Sequence, residues 1–150
     1  AVDIPVLRKD FTTDAAHVIE AAAHGADAIL LIAAILTVDE LRRYRELAEQ
    51  LGMSALVEVH NESELSMAVD SGASVIGVNN RNLRTFEVTL DTSLRLAQLM
   101  PPGAVKVAES GIHTQADIAA LSAAGFQAFL VGERLMRAPD PAAALMELRA

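Results

Sequence analysis

Short apolar runs alternate along this chain with longer stretches in which apolar residues return every three or four positions. The runs are Ile4–Leu7, Ala28–Ile32, Ala55–Val59, Val75–Val78, Val105–Ala108 and Gln127–Val131. Their length and branched content predict strands. The stretches that follow them, Ala15–Ala23, Thr37–Gln50, Asn61–Ser71, Asp91–Leu99, Thr114–Ala124 and Asp140–Leu148, have the helical period. Their ends carry helix punctuation. Thr37 with Glu40, Asn61 with Glu64 and Thr114 with Asp117 have capping-box spacing, and Gly52, Gly72 and Gly125 stand as stops. Pro101-Pro102-Gly103 closes the fourth helix, Pro141 opens the last, and a further short helix starts after Gly132. Strand followed by helix, repeated without a linker or low-complexity stretch, predicts one α/β domain over residues 1–150 with a parallel sheet.

Polar residues collect at the carboxyl ends of these runs: Lys9, Glu58, Asn79, Glu109-Ser110 and Gly132-Glu133. A doubly wound open sheet concentrates its site at one switch point, whereas a barrel gathers side chains from many strand ends onto one mouth. The second pattern is the one present. A barrel of this kind has eight units of about 25 residues, so the expectation is a partial (β/α)8 barrel of six units that lacks the first two. The gap then lies at the N-terminus. Its edges, Ile4–Leu7 and Gln127–Val131, would be unpaired, which favours self-association or pairing with a complementing N-terminal segment.

Composition narrows the function. Only 3% of the residues are aromatic against 52% hydrophobic, so aliphatic side chains must build the core. The absence of cysteine removes disulfides and thiolate metal sites. A net charge of −8 argues against nucleic-acid or anionic-membrane binding. That charge is uneven: residues 1–75 hold 5 Lys/Arg against 13 Asp/Glu, and residues 76–150 hold 7 against 7. The second half is therefore the less repulsive one for an anion. No run approaches the ~20 apolar residues of a membrane span and no secretory signal is visible, so a cytoplasmic protein is expected.

Candidate chemistry sits at the strand ends. Glu109-Ser110-Gly111 and Gly132-Glu133 follow consecutive strands. Bare glycines with amide N–H groups and a helix start suit a phosphate monoester; the same glycines also serve tight turns. Lys9, in PVLRKDF, suits protonation of a carbonyl or binding of phosphate, and equally suits a charged surface turn. Glu58 stands inside LVEVH, where alternation turns it to the opposite face from Val57 and Val59. A carboxylate there is costly unless paired or used. Facing Lys9 it would be the base of an acid–base pair, or half of a structural ion pair. His60 reads as a helix-entry residue. His17, His24 and His113 have no ligand spacing, and no metal motif is present. In IGVNNRNL, Asn79 belongs to the strand end and could orient a hydroxyl, and Arg81 could take a phosphate or carboxylate. Asn80 and Asn82 read as turn chemistry.

The segments PVLRKDF, GADAILLIAAIL, LVEVHNESEL, IGVNNRNLRTFEV, VAESGIHTQADI and AFLVGERLMR, taken in this order, resemble the signature segments of the indole-3-glycerol-phosphate synthase family. The resemblance spans essentially the whole chain. It implies a tryptophan-pathway lyase on an eight-stranded barrel, closing 1-(o-carboxyphenylamino)-1-deoxyribulose 5-phosphate to indole-3-glycerol phosphate with loss of carbon dioxide and water. It implies neither metal nor organic cofactor. On the matching positions it makes Lys9 the general acid and Glu58 the proton-exchanging carboxylate. Asn79 and Glu109 position the substrate and stabilise charge. Ser110, Gly111, Gly132 and Glu133 clamp phosphate, mainly through backbone amides, with Arg81 nearby, and Phe11, Leu30 and Leu130 line the aromatic ring. The family's first-strand Glu-x-Lys pair and Ser-Pro-Ser turn have no counterpart here. The alternative expectation is thus a barrel fragment that binds phosphate ligands or assembles with a complementing chain.

Overall fold

The computed structural model describes residues 3–83 and 85–149. Strands and helices alternate: β1 (Leu7–Arg8), α1 (Ala15–Ala23), β2 (Ala28–Ile32), α2 (Val38–Gln50), β3 (Ser54–Val59), α3 (Glu62–Asp70), β4 (Val75–Asn79), α4 (Asp91–Ala97), β5 (Val105–Glu109), α5 (Gln115–Ala123), β6 (Ala128–Leu130), α6 (Glu133–Met136) and α7 (Pro141–Arg149). The strands follow one another in the sheet in chain order. The chain forms two compact units, Ala1–Ile76 and Gly77–Ala150.

In the first unit β1, β2 and β3 pair in parallel, with Leu7 opposite Ala28, Leu30 opposite Leu56 and Ile32 opposite Glu58. Side chains alternate across a strand, so Leu30, Ile32, Leu56 and Glu58 share one face. Ile29, Leu31, Val57 and Val59 share the other, and are fully buried with Val18, Leu41 and Tyr44 of the helices. Burying such side chains contributes roughly 1.5–3 kcal/mol each. The helix starts are built as their spacing predicts. The Thr37 hydroxyl accepts from Glu40 N–H while the Glu40 carboxylate accepts from Thr37 N–H. Asn61 caps α3 by accepting from Glu64 N–H.

The first strand differs from the predicted Ile4–Leu7. Pairing begins only at Leu7, and Ile4 is 70% exposed. Pro5 has no N–H to donate, and the Val6 amide is taken by the Asp27 carboxylate at 2.7 Å. The Val6 carbonyl instead receives Asp27 and Ala28 N–H, which anchors the chain just before β1.

In the second unit β5 and β6 pair in parallel, Glu109 opposite Leu130. Thr114 and Asp117 form the predicted capping box of α5. Asp140 accepts from the amides of Ala142 and Ala143 ahead of α7. Between β4 and α4 the chain makes a small excursion closed by an antiparallel bridge between Arg81 and Val88. Among the described residues no helix is long and apolar enough to cross a membrane.

Candidate active site

Lys9 follows β1 by one residue, and its register places it on the face of Leu30 and Glu58. Its ammonium lies 3.4 Å from Glu58 Oε2. The pair is unequal: the lysine side chain is 44% exposed, the glutamate 3%. A buried carboxylate beside a half-exposed ammonium fits proton exchange with a ligand approaching from the lysine side. Phe11, two residues on, is exposed, whereas Leu30 is buried in β2.

The same carboxylate has a second cationic neighbour. His60 lies two residues beyond Glu58, hence on the same face, and its Nε2 is 3.4 Å from Glu58 Oε1. That distance is an ionic contact rather than a close charge-assisted hydrogen bond. On its other side His60 Nδ1 lies 2.9 Å from Glu64 Oε2. The same Glu64 oxygen accepts from His60 N–H at 2.8 Å, and Glu64 Oε1 accepts from the Asn61 side chain at 2.7 Å. Burial pulls the imidazole's proton affinity down, but the contacts with Glu58 and Glu64 outweigh it and raise the pKa from 6.5 to about 9. Burial alone would raise the Glu64 carboxyl; the bonds from His60 hold it below the usual range. At neutral pH the imidazole is therefore charged. Sequence reasoning gave His60 only a helix-entry role. The two-residue spacing in Glu58-Val59-His60 was the available signal, since it sends both side chains to one face.

In the second unit Glu109 ends β5 and is 1% exposed. The next two residues both have positive φ, Ser110 at 64° and Gly111 at 75°. An alanine Cβ at Gly111 would stand 2.5 Å from Val88 Cγ1, so this glycine serves the turn and a close approach at once. Asn80 holds the turn in place. It is 2% exposed, donates from Nδ2 to Ser110 O at 3.1 Å and accepts Ser93 N–H on Oδ1 at 3.1 Å. Its backbone amide also donates to Glu109 O at 2.9 Å. Asn80 is structural, as the sequence suggested, though its reach to Ser110 was not visible there. Asn79, at the end of β4, accepts Arg81 N–H on Oδ1 at 3.0 Å.

Gly132 contrasts with Gly111. Its φ is −113°, and an added Cβ would meet nothing within 4 Å. Neither conformation nor protein packing demands glycine there. Glu133, which opens α6, pairs with Arg81 at 2.7 Å and Arg137 at 3.1 Å, so its carboxylate is held away from the role of a free anion. Leu130, opposite Glu109, is half-buried. The structure thus brings Lys9 to Glu58 within the first unit. Within the second it brings Arg81 to Glu133 and fixes Glu109, Ser110 and Gly111 in one turn. Among the described residues, no group of three or more His, Asp or Glu is placed to hold a metal ion.

The fold is that of (β/α)-barrel proteins, present here in part. The crystal structure of KGPDC from Streptococcus mutans matches with a TM-score of 0.72 at 17% identity, over 98% of this chain and 71% of that one. A mandelate oxidase mutant with an FMN adduct matches with a TM-score of 0.77 at 18% identity, over 98% and 55%. Sequence is more specific. Residues 1–148 match the family model described as indole-3-glycerol phosphate synthase, and the chain belongs to that family. The proteins of that name from Koribacter versatilis (strain Ellin345) and Ruminiclostridium cellulolyticum are 55% and 51% identical over 98% and 99% of the chain. The chain spans about half of these relatives, 56% and 57% of their lengths.

Proposed function

We propose that this chain carries indole-3-glycerol-phosphate synthase chemistry: ring closure of 1-(o-carboxyphenylamino)-1-deoxyribulose 5-phosphate, with decarboxylation and dehydration. The observation that carries the proposal is the contact between the Lys9 ammonium and the buried Glu58 carboxylate at 3.4 Å. Ring closure needs a proton delivered to a ketone oxygen as the aromatic carbon attacks, and the resulting hydroxyl must leave as water. Lys9, half in solvent, is the acid that meets the ketone. Glu58 exchanges protons with the cyclised intermediate and assists dehydration. Phe11, which is exposed, offers apolar surface to the anthranilate ring.

In Gly77–Ala150 the proposed task is holding the phosphorylated end. The amides of Ser110, Gly111, Gly132 and Glu133 donate to phosphate oxygens, and the unfilled space at Gly132 supports close approach of an anion. Arg81, already oriented by Glu133, stands beside them. Asn79 and Glu109 position the substrate's polar groups, and Leu130 supplies an apolar contact. The chemistry requires neither metal nor organic cofactor, and the cytoplasm is the compartment such a biosynthetic lyase needs.

The test is indole fluorescence after mixing the chain with this substrate, alone and with a polypeptide carrying the N-terminal part of the Koribacter relative. Product in either arm, reduced at least ~100-fold by Lys9→Ala or Glu58→Gln, supports the reading. Failure of both arms to yield product sinks it. A second reading, phosphate binding without turnover, is kept because the Ser110-Gly111 turn and Gly132 do not depend on Lys9 and Glu58. Phosphate affinity abolished by Gly132→Asp in a chain without turnover would select it.

A further inference from the structure

The bonds that Asn80 makes to the Ser110-Gly111 turn decide where two amides point. A trans peptide is planar, and its carbonyl and N–H point in opposite directions. The Glu109 carbonyl, which accepts Asn80 N–H at 2.9 Å, shares its peptide with the Ser110 N–H. The Ser110 carbonyl, which accepts from Asn80 Nδ2 at 3.1 Å, shares its peptide with the Gly111 N–H. One residue thus grips two successive peptides by their oxygens and turns both N–H groups away from itself, toward the same side. Two successive amides so turned, with φ of 64° at Ser110 and 75° at Gly111, make a concavity of positive charge suited to an anion.

We propose that Asn80 is a positioning residue for phosphate: it aims the Ser110 and Gly111 N–H groups and touches no ligand itself. The inference rests on the reading of this turn as a phosphate clamp and names what sets the clamp's aim. Three observations support it. Ser110 lies in the left-handed φ region, which a residue with a Cβ leaves unless its surroundings hold it there. The head of Asn80 is itself fixed, because Oδ1 accepts Ser93 N–H at 3.1 Å from the first turn of α4. Its chemistry is also specific. The position needs an acceptor facing Ser93 and a donor facing Ser110 on one short planar head, which neither a carboxylate nor an apolar side chain supplies. At 2% exposure Asn80 is screened from water, whereas Ser110 is half-buried, so the turn is gripped from inside while part of it stays accessible.

Inorganic phosphate is titrated into the isotope-labelled full chain, and the Ser110 and Gly111 amide resonances are followed by nuclear magnetic resonance in the wild type, Asn80→Ala and Leu121→Ala. Affinities are referred to the folded fraction, read from urea unfolding of each variant. Leu121 is fully buried in α5, so its truncation costs at least as much stability while keeping the atoms of every Asn80 bond. In the wild type, phosphate is expected to displace both amide resonances. Asn80→Ala should lower the affinity roughly 10-fold or more, and Leu121→Ala should leave it unchanged. Should Asn80→Ala not fold, the comparison is repeated in a Ser110→Gly background, where glycine accepts the positive φ without support; the same loss of affinity is expected there. A folded Asn80→Ala chain that binds phosphate as tightly as its parent overturns the proposal. So does an equal loss in Leu121→Ala, which would reduce Asn80 to a contributor to stability. A wild type whose Ser110 and Gly111 amides ignore phosphate removes the clamp reading and this inference with it; binding kept in both the wild type and Asn80→Ala removes the inference alone.

Discussion

Alanine at Gly111 and alanine at Gly132 should have opposite consequences, although both glycines follow a strand in the same unit. Gly111 has φ of 75°, where a Cβ costs about 1–2 kcal/mol. The new methyl would also lie 2.5 Å from Val88 Cγ1, well inside the ~3.5–4.0 Å optimum for two carbons. Overpacking of this kind costs about 1–3 kcal/mol. Val88 is partly exposed and can yield, which favours the lower end. The unfolded chain loses freedom with alanine, which returns about 0.4–1 kcal/mol. The net expectation is a loss of about 1–2.5 kcal/mol for Gly111→Ala. Gly132 has negative φ and empty space, so Gly132→Ala should stay within about 0.5 kcal/mol of the wild type. Urea unfolding followed by circular dichroism reads both, and inorganic phosphate titration reads the ligand side. Phosphate affinity should fall in Gly132→Ala with stability intact. A Gly111→Ala variant as stable as the wild type, or a Gly132→Ala variant destabilised by more than ~1 kcal/mol, would refute the division into a turn glycine and a ligand glycine.

Two further outcomes follow from buried polar groups. Asn80→Ala strands the Ser93 amide and the Ser110 carbonyl, at about 1–3 kcal/mol for each unsatisfied group; urea unfolding should show a loss of at least ~2 kcal/mol, and a change near zero would mean that water replaces the side chain. The His60 pKa is raised in the folded state, so its stabilisation is complete below about pH 6.5 and is lost as pH rises through about 9. At ~1.4 kcal/mol per unit this is about 3 kcal/mol across that window, and a His60→Gln variant with the same alkaline decline as the wild type would rule it out.

What the sequence disclosed depended on range. Thr37, Asn61 and Thr114 act within four residues of themselves, so spacing alone located their helices. Glu58 betrayed itself as a charge inside an apolar strand, and Lys9 as its partner by standing, like it, at the carboxyl end of a strand. The first strand misled because Ile4–Leu7 has strand composition, yet an edge strand is fixed by its partner; here Asp27 takes the Val6 amide and displaces the pairing to Leu7. The tie between Asn80 and Ser110 spans thirty residues and carries no local signature. His60 lay between these cases. Its spacing from Glu58 was readable, but its reach to Glu64 competed with an ordinary capping pattern.

The excursion between β4 and α4 has a closed base. Asn80 O receives Thr89 N–H, Asn82 N–H reaches Glu87 O, and Arg81 bridges Val88. Entry and exit are thus fastened to each other before the chain turns outward, where Leu83 and Phe86 stand in solvent. Lengthening a loop whose ends are already joined costs little, about 0.6 kcal/mol for each doubling. The tip is therefore a port for insertion: a peptide tag or a foreign recognition loop grafted between Leu83 and Phe86 would hang from a fastened stem, leaving Ser110 and Gly111 where Asn80 holds them.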